Sequence, residues 1–208
     1  MRTSGELICL DETIPDAIVG CDPGPEYCAF ALVTRQENKL TLARADYWPV
    51  ANMILDTAFY DKRLPVVYGF SKPFGFAFEK MTMRYGAVPG ATTFDTCRNS
   101  GVALVAAALS GAKEAYGLGT SDWRVAFGGA VNMKDSEVRR EIINVFGEEA
   151  DKYLRERSNY VKGAYKLKEP ATPHLRDAVG VAVGAFMMKR RGVSATARCV
   201  WRDSDAQQ

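Results

Sequence analysis

Three carboxylates and one imidazole are the residues in this sequence best placed to do chemistry. Asp22 ends the apolar run Ala17-Ile18-Val19-Gly20-Cys21 and is followed by Pro23-Gly24-Pro25. That tripeptide cannot continue a hydrogen-bonded ladder, so the chain must turn directly behind the acid. Glu79 stands in the same way at the end of the compact aromatic run Phe74 to Phe78. Asp177 falls at the opening of the last apolar helix pattern, three residues after His174, the one histidine in the chain. At 3.6 residues per turn, Ala178, Val181 and Ala185 share the side of His174, with Asp177 at the edge of that stripe. Each residue also has a plain reading: Asp22 as the acceptor of an Asp-Pro-Gly turn, Asp177 as compensation of a helix dipole, His174 as a bystander. Three acids on three separate elements have a further meaning, because that is the layout of two-metal phosphodiester chemistry. Mg²⁺ or Mn²⁺ prefers carboxylate oxygens and keeps several waters, so two ions per site can share Asp22 and divide Glu79 and Asp177, with His174 ligating a metal or orienting a water. A pair about 4 Å apart stabilises both the attacking and the leaving oxygen of an in-line displacement, and bound metal offsets the mutual repulsion of the acids.

The elements that must position these groups follow from periodicity. Residues 17–22, 27–35 and 39–47 read as three antiparallel strands, and 50–60 as a short helix carrying Met53, Ile54, Ala58 and Phe59. After Pro65 and the apolar stretch 66–70, the run 74–78 is a strand that delivers Glu79. Residues 81–100, rich in Gly, Thr, Arg and Pro, read as a long loop beside that acid, and 101–116 as a small-residue helix. Residues 122–127 read as a strand closed by Gly128-Gly129, and Asp135 or Ser136 caps a helix with Val138, Ile142, Val145 and Phe146 on one face. Residues 158–173 read as basic and irregular, with Lys162, Lys166 and Lys168 interleaved with Tyr160 and Tyr165, a pattern suited to a nucleic-acid backbone. The order predicts an α/β fold: a mixed five-stranded sheet, its first three strands antiparallel, flanked by helices on both faces. Residues 1–16 form an irregular lead-in, 17–191 a single domain, and 192–208 a tail.

Length and composition agree with one domain of 208 residues and a sizeable core. The five cysteines are odd in number and scattered without metal-ligand spacing, so they read as reduced thiols. No signal-peptide pattern and no segment of membrane-spanning length is present, which points to a cytoplasmic protein with no membrane partner. Net charge is only +2, yet residues 1–61 hold four Lys/Arg against ten Asp/Glu, whereas 152–191 hold ten against three. Such asymmetry suits one face turned to a polyanion, although a basic run is more often a solvated helix face.

The pieces GCDPGPEYCAFALV, FAFEKM, SGVALVAAA, MKDSEV and HLRDAVGVAVG, spread over nearly the whole chain, resemble the RuvC-like Holliday junction resolvases of the RNase H-like (retroviral integrase-like) superfamily. The H-x-x-D-A ending is the most specific of them. The resemblance implies a metal-dependent crossover junction endodeoxyribonuclease that nicks four-way DNA junctions symmetrically as a homodimer. It assigns metal binding to Asp22, Glu79 and Asp177, with His174 at a position that is His or Asp in different members. Lys134 aligns with a basic residue near the scissile phosphate, and Arg139 and Arg140, with the lysines at 162, 166 and 168, are the expected DNA contacts. The family places an aromatic wedge in the loop after the middle-strand acid. Here Thr82 stands at that position, and Tyr85, next to Arg84, is the candidate, with Phe94 next in line. The N-terminal extension and the basic insert at 158–170 depart from the compact cellular form and are similar to divergent viral or phage versions, for which the site of action is the host cytoplasm rather than the nucleoid. Three other readings stay open: a less selective nuclease on flaps and other branched DNA, a non-catalytic DNA-binding scaffold of the same fold, and a small actin-like ATPase. The last lacks a second phosphate-binding Gly-rich turn.

Overall fold

The computed structural model describes residues 15–37, 39–53, 64–81, 90–188 and 197–200. The apolar run before Asp22 becomes β1 (Ala17–Pro23), which lies between β2 (Tyr27–Gln36), antiparallel to it, and β4 (Phe74–Lys80), parallel to it. A strand with neighbours at both edges and layers on both faces has no side for water, which is why Ala17, Ile18, Val19 and Cys21 are all buried. Outside these, β3 (Lys39–Pro49) pairs antiparallel with β2, and β5 (Ala112–Gly119) parallel with β4. The mixed five-stranded sheet expected from sequence is therefore present, in the order β3-β2-β1-β4-β5. A short further strand, β6 (Ala197–Val200), drawn from the stretch expected to be tail, pairs antiparallel with the outer edge of β5.

Helices cover both faces. On one, α1 (Ala91–Leu109) lays Ala103, Ala106 and Ala107 against a core that includes Val19, Cys21, Phe30 and Phe76. On the other lies α5 (Thr172–Met187), packed against Ile18, Ala29 and Ala31. From Ala178 on it is apolar around its whole circumference because α2 (Thr120–Phe127), α3 (Asp135–Phe146) and α4 (Glu148–Tyr165) cover the side turned from the sheet. Among the described residues no helix is long and apolar enough to cross a membrane.

Glycine sets how closely α5 approaches. A Cβ at Gly20 would stand 2.1 Å from the Ala178 carbonyl oxygen, and one at Gly180 would stand 2.4 Å from the Trp123 ring. The outer helices are joined by charge. Asp151 on α4, with a side chain only 1% exposed, accepts from Arg176 of α5 at 2.8 Å and from Arg139 of α3 at 2.9 Å, while Arg176 also bonds Asp135 at 2.9 Å. Burial alone would raise the Asp151 carboxyl; the Arg139 and Arg176 guanidiniums outweigh it and hold that carboxyl below its ordinary range.

Several expectations need correction. The small-residue helix expected at 101–116 instead begins at Ala91 and stops at Leu109, and Ala112–Gly119 is the strand β5. Gly111, at φ +94°, makes the break. The expected strand at 122–127 is the helix α2, whose Asp122 carboxylate accepts from the Gly119 N–H at 3.1 Å and so closes the first turn. Residues 158–165 are not irregular but the last two turns of α4, with Ser158 and Val161 buried. The expected loop at 81–100 yields its second half to α1. Of the helix expected at 50–60, residues 50–53 are helical and the remainder lies outside the described residues, as does the lead-in through residue 14.

Candidate active site

The site forms where the parallel strands β1 and β4 end. Cys21 is level with Phe78 in the parallel ladder, so Asp22, one residue further, lies level with Glu79 in the neighbouring strand. The carboxyl edge of parallel strands is the usual seat of a ligand in an open α/β sheet. Alternation then decides the face. Gly20 packs on Ala178 and Ala182, so Asp22, two residues on, faces the same helix one turn nearer its start. That turn carries His174, whose Nδ1 lies 2.7 Å from Asp22 Oδ2. Asp177 joins them from the same turn, close enough to feel the charge of both Asp22 and Glu79.

The turn behind Asp22 is tied from two sides. Within it, the Gly24 N–H donates to the Tyr27 carbonyl at 2.9 Å. From α1, the buried Asn99 donates through Nδ2 to the carbonyls of Gly24, at 2.9 Å, and Pro25, at 2.6 Å. Glu79 is fixed by a hydrogen bond from the Thr120 hydroxyl at the start of α2. His174 stacks on Tyr47, with centroids 5.9 Å apart, and Tyr47 on Tyr27 at 5.2 Å. Tyr165 at the end of α4 tilts against Tyr27, which brings the connection bearing Lys166 and Lys168 to this edge of the site.

The electrostatics are those of crowded, half-dried anions. Burial, then the charge of Asp22, raises the Glu79 carboxyl, opposed by the hydrogen bond from Thr120 and by the charge of Arg124. Asp177 is pushed up to about 7 by burial and by Asp22 and Glu79, with Arg124 and His174 opposing. The hydrogen bond to Asp22 raises the His174 imidazole against the effect of burial. Burial and the nearby Asp22 push the Tyr47 phenol to about 12, so it stays neutral. Among the described residues, neither Glu79 nor Asp177 has an ion-paired Lys or Arg. Three such carboxylates with one imidazole make a donor set that fits a hard divalent cation. As these side chains stand, no three His, Cys, Asp or Glu residues among the described ones converge at metal-ligand spacing.

Four of the expected site residues, Asp22, Glu79, His174 and Asp177, are thus brought together. Lys134 is exposed as the N-cap of α3, and its ammonium group makes no hydrogen bond or ion pair among the described residues. Arg139 is held by Asp151, and the exposed Arg140 lies 3.6 Å from the Glu141 carboxylate. Lys162 is in the last turn of α4, Lys166 caps that helix at φ +54°, and Lys168 is exposed in the connection to α5. Thr82, Arg84 and Tyr85 lie outside the described residues; Phe94 is 62% exposed in the first turn of α1. Sequence reasoning missed Asn99, Thr120, Tyr47 and Arg124. Only Thr120 carried a legible signal, in the Thr-Ser-Asp start of a helix read as a strand.

No protein-family model matches the chain, nor does any curated protein sequence. Solved structures do. RuvC of Thermus thermophilus matches over 86% of this chain and 98% of its own, at 20% identity and a TM-score of 0.56. T. thermophilus RuvC in complex with a Holliday junction substrate matches over the same shares at 19% identity and 0.59. The yeast mitochondrial Holliday junction resolvase Ydc2 matches over 87% of this chain and 82% of its own, at 14% identity and 0.54. At such identities the likeness is one of fold: this chain has the RNase H-like fold of the RuvC-like resolvases.

Proposed function

We propose that this protein is a metal-dependent endonuclease that resolves four-way DNA junctions by paired symmetric nicks, acting as a homodimer in the cytoplasm. The observation that supports the reading is that Asp22, Glu79, Asp177 and His174 lie at one sheet edge, within reach of one another's charge, with no cation ion-paired to Glu79 or Asp177 among the described residues. Those four residues would hold Mg²⁺ or Mn²⁺, two ions per site. When bound, the ions supply Lewis-acid activation of water and stabilise the charge on the phosphate. The protein's own groups do the rest. Thr120 fixes the Glu79 carboxylate, Tyr47 braces the His174 ring, and Nδ1 bonded to Asp22 leaves Nε2 of the half-exposed imidazole as the nitrogen that would take either a metal or a proton. Lys162, Lys166 and Lys168, with Lys134 and Arg140, meet the phosphates of the junction arms.

The dimer is the other half of the reading, because two nicks related by symmetry need two sites about a two-fold axis. The outer face of α1 offers a surface for a second copy of this chain. Phe94, Val105 and Leu109 are 62%, 58% and 61% exposed on one side of the helix, around the exposed Gly101. Asp22→Asn, Glu79→Gln and Asp177→Asn separate binding from turnover. Each is expected to abolish junction cleavage while leaving junction binding by gel shift largely intact, since metal ligands are removed and phosphate contacts are not. Loss of binding in all three contradicts the assignment.

A further inference from the structure

Arg124 stands apart from the other arginines whose contacts are resolved. Arg35, Arg98, Arg139, Arg140, Arg155, Arg157 and Arg176 all lie beside carboxylates, and Arg44 donates to the Tyr68 carbonyl oxygen. The Arg124 guanidinium has no carboxylate within ion-pair distance among the described residues, and its Nε is buried with no hydrogen-bond partner. It lies over the Trp123 ring, 5.2 Å from the centroid, and that indole is itself wedged against Gly180 of α5, with the Trp123 backbone seated on Gly184. The cation is therefore held on a rigid platform, one helical turn beyond Thr120, which fixes Glu79. From there its charge acts on both Glu79 and Asp177.

A buried donor without an acceptor at the rim of an acid cluster fits a ligand that brings its own anionic oxygens. We propose that Arg124 binds a phosphodiester oxygen of the substrate strand as that strand enters the acid site. A planar fork of N–H donors suits phosphate better than the single point charge of lysine does, and stacking on an aromatic face preorganises the fork. The proposal rests on the nuclease reading and supplies it with a substrate contact inside the site. The exposed Lys134 at the start of α3 does not show such anchoring.

The test compares Arg124→Gln and Arg124→Lys in the full chain, using labelled four-way junction with Mg²⁺ for cleavage and the Asp22→Asn background for binding as a function of salt. Glutamine is expected to lower single-turnover cleavage by about 10²-fold, the scale for losing one preorganised donor at developing charge. It should also flatten the salt dependence of binding by about one phosphate contact. Lysine should keep the salt slope and recover only part of the rate. Wild-type cleavage and slope in Arg124→Gln overturn the proposal. So does a parallel fall in thermal midpoint and rate, with the slope unchanged, in both variants, which would make Arg124 a structural brace. The salt slope needs no turnover: wild-type protein that binds junctions, loses slope on Arg124→Gln and never cuts would sink the nuclease reading while leaving the phosphate contact standing.

Discussion

Replacing Gly20 by alanine asks whether the seat of α5 on β1 is what delivers His174 and Asp177 to Asp22. The new methyl would stand 2.1 Å from the Ala178 carbonyl oxygen and 2.7 Å from the Ala182 nitrogen, where ordinary contact begins at 3.4 Å. Both obstacles are backbone, so no change of rotamer relieves them, and α5 must retreat from the strand by about 1 Å. Overpacking of this kind costs about 1–3 kcal/mol, or roughly 2–12 °C in midpoint for a domain of this size. The larger effect falls on the site. A 1 Å retreat stretches the 2.7 Å contact between His174 and Asp22 past hydrogen-bond range and moves Asp177 with it. Misplacement on that scale costs on the order of 10²-fold in rate. The assay is junction cleavage well below the midpoint, paired with a thermal melt by circular dichroism. Gly20→Ala is expected to be folded, modestly destabilised and severely slowed. A variant that melts and cuts like the wild type refutes the seating argument.

The site's acids also predict a linkage between metal and pH. Asp177, pushed up to about 7, contributes stability that is fully present below its ordinary value near 4 and is lost as pH rises through 7 in metal-free protein. Added Mg²⁺ should therefore raise the melting midpoint more at pH 8 than at pH 5.5, and equal shifts at the two values would contradict the cluster. Asp151→Ala leaves the buried Arg176 guanidinium with Asp135 as its one remaining carboxylate and should cost about 1.5–3 kcal/mol in chemical denaturation; a loss under about 1 kcal/mol would mean the charges joining α3, α4 and α5 are dispensable. Neutralising Lys162, Lys166 or Lys168 singly should weaken DNA binding across sequences and lower the salt slope by about one, and an unchanged slope places that lysine off the DNA.

The sheet centre and the acids were legible because their signals are local. A strand buried on both faces reads as an unbroken apolar run, and an acid followed by Pro-Gly-Pro marks its end without help from the rest of the fold. From Ala91 to Phe127 the structure departs from the sequence expectation because composition and position disagree there. Ala112–Gly119 follows an alanine-rich helix with only Ser110-Gly111 between them, and its interior Gly117 and buried Glu114 are poor strand formers that neighbouring strands accommodate. The Trp-Arg-Val-Ala-Phe segment alternates like a strand, yet the Asp122 cap and the pocket that Gly180 and Gly184 make for Trp123 turn it into a helix. Asn99 and Tyr47 owe their roles to partners remote in sequence, and Arg124, although it stacks on the adjacent Trp123, owes its role to the remote Glu79 and Asp177 on which its charge acts.

One measurement tests the central claim most directly: cleavage of labelled four-way junction, flap and linear duplex by the purified protein in Mg²⁺, with Asp22→Asn and EDTA as controls. The account predicts paired, symmetrically placed nicks in the four-way junction, little cutting of duplex, and none in either control. Equal cutting of flap and junction would leave the acid site in place but replace the resolvase by a less selective branched-DNA nuclease. Undiminished cleavage by Asp22→Asn, or none by the wild type on any branched DNA, would contradict the account.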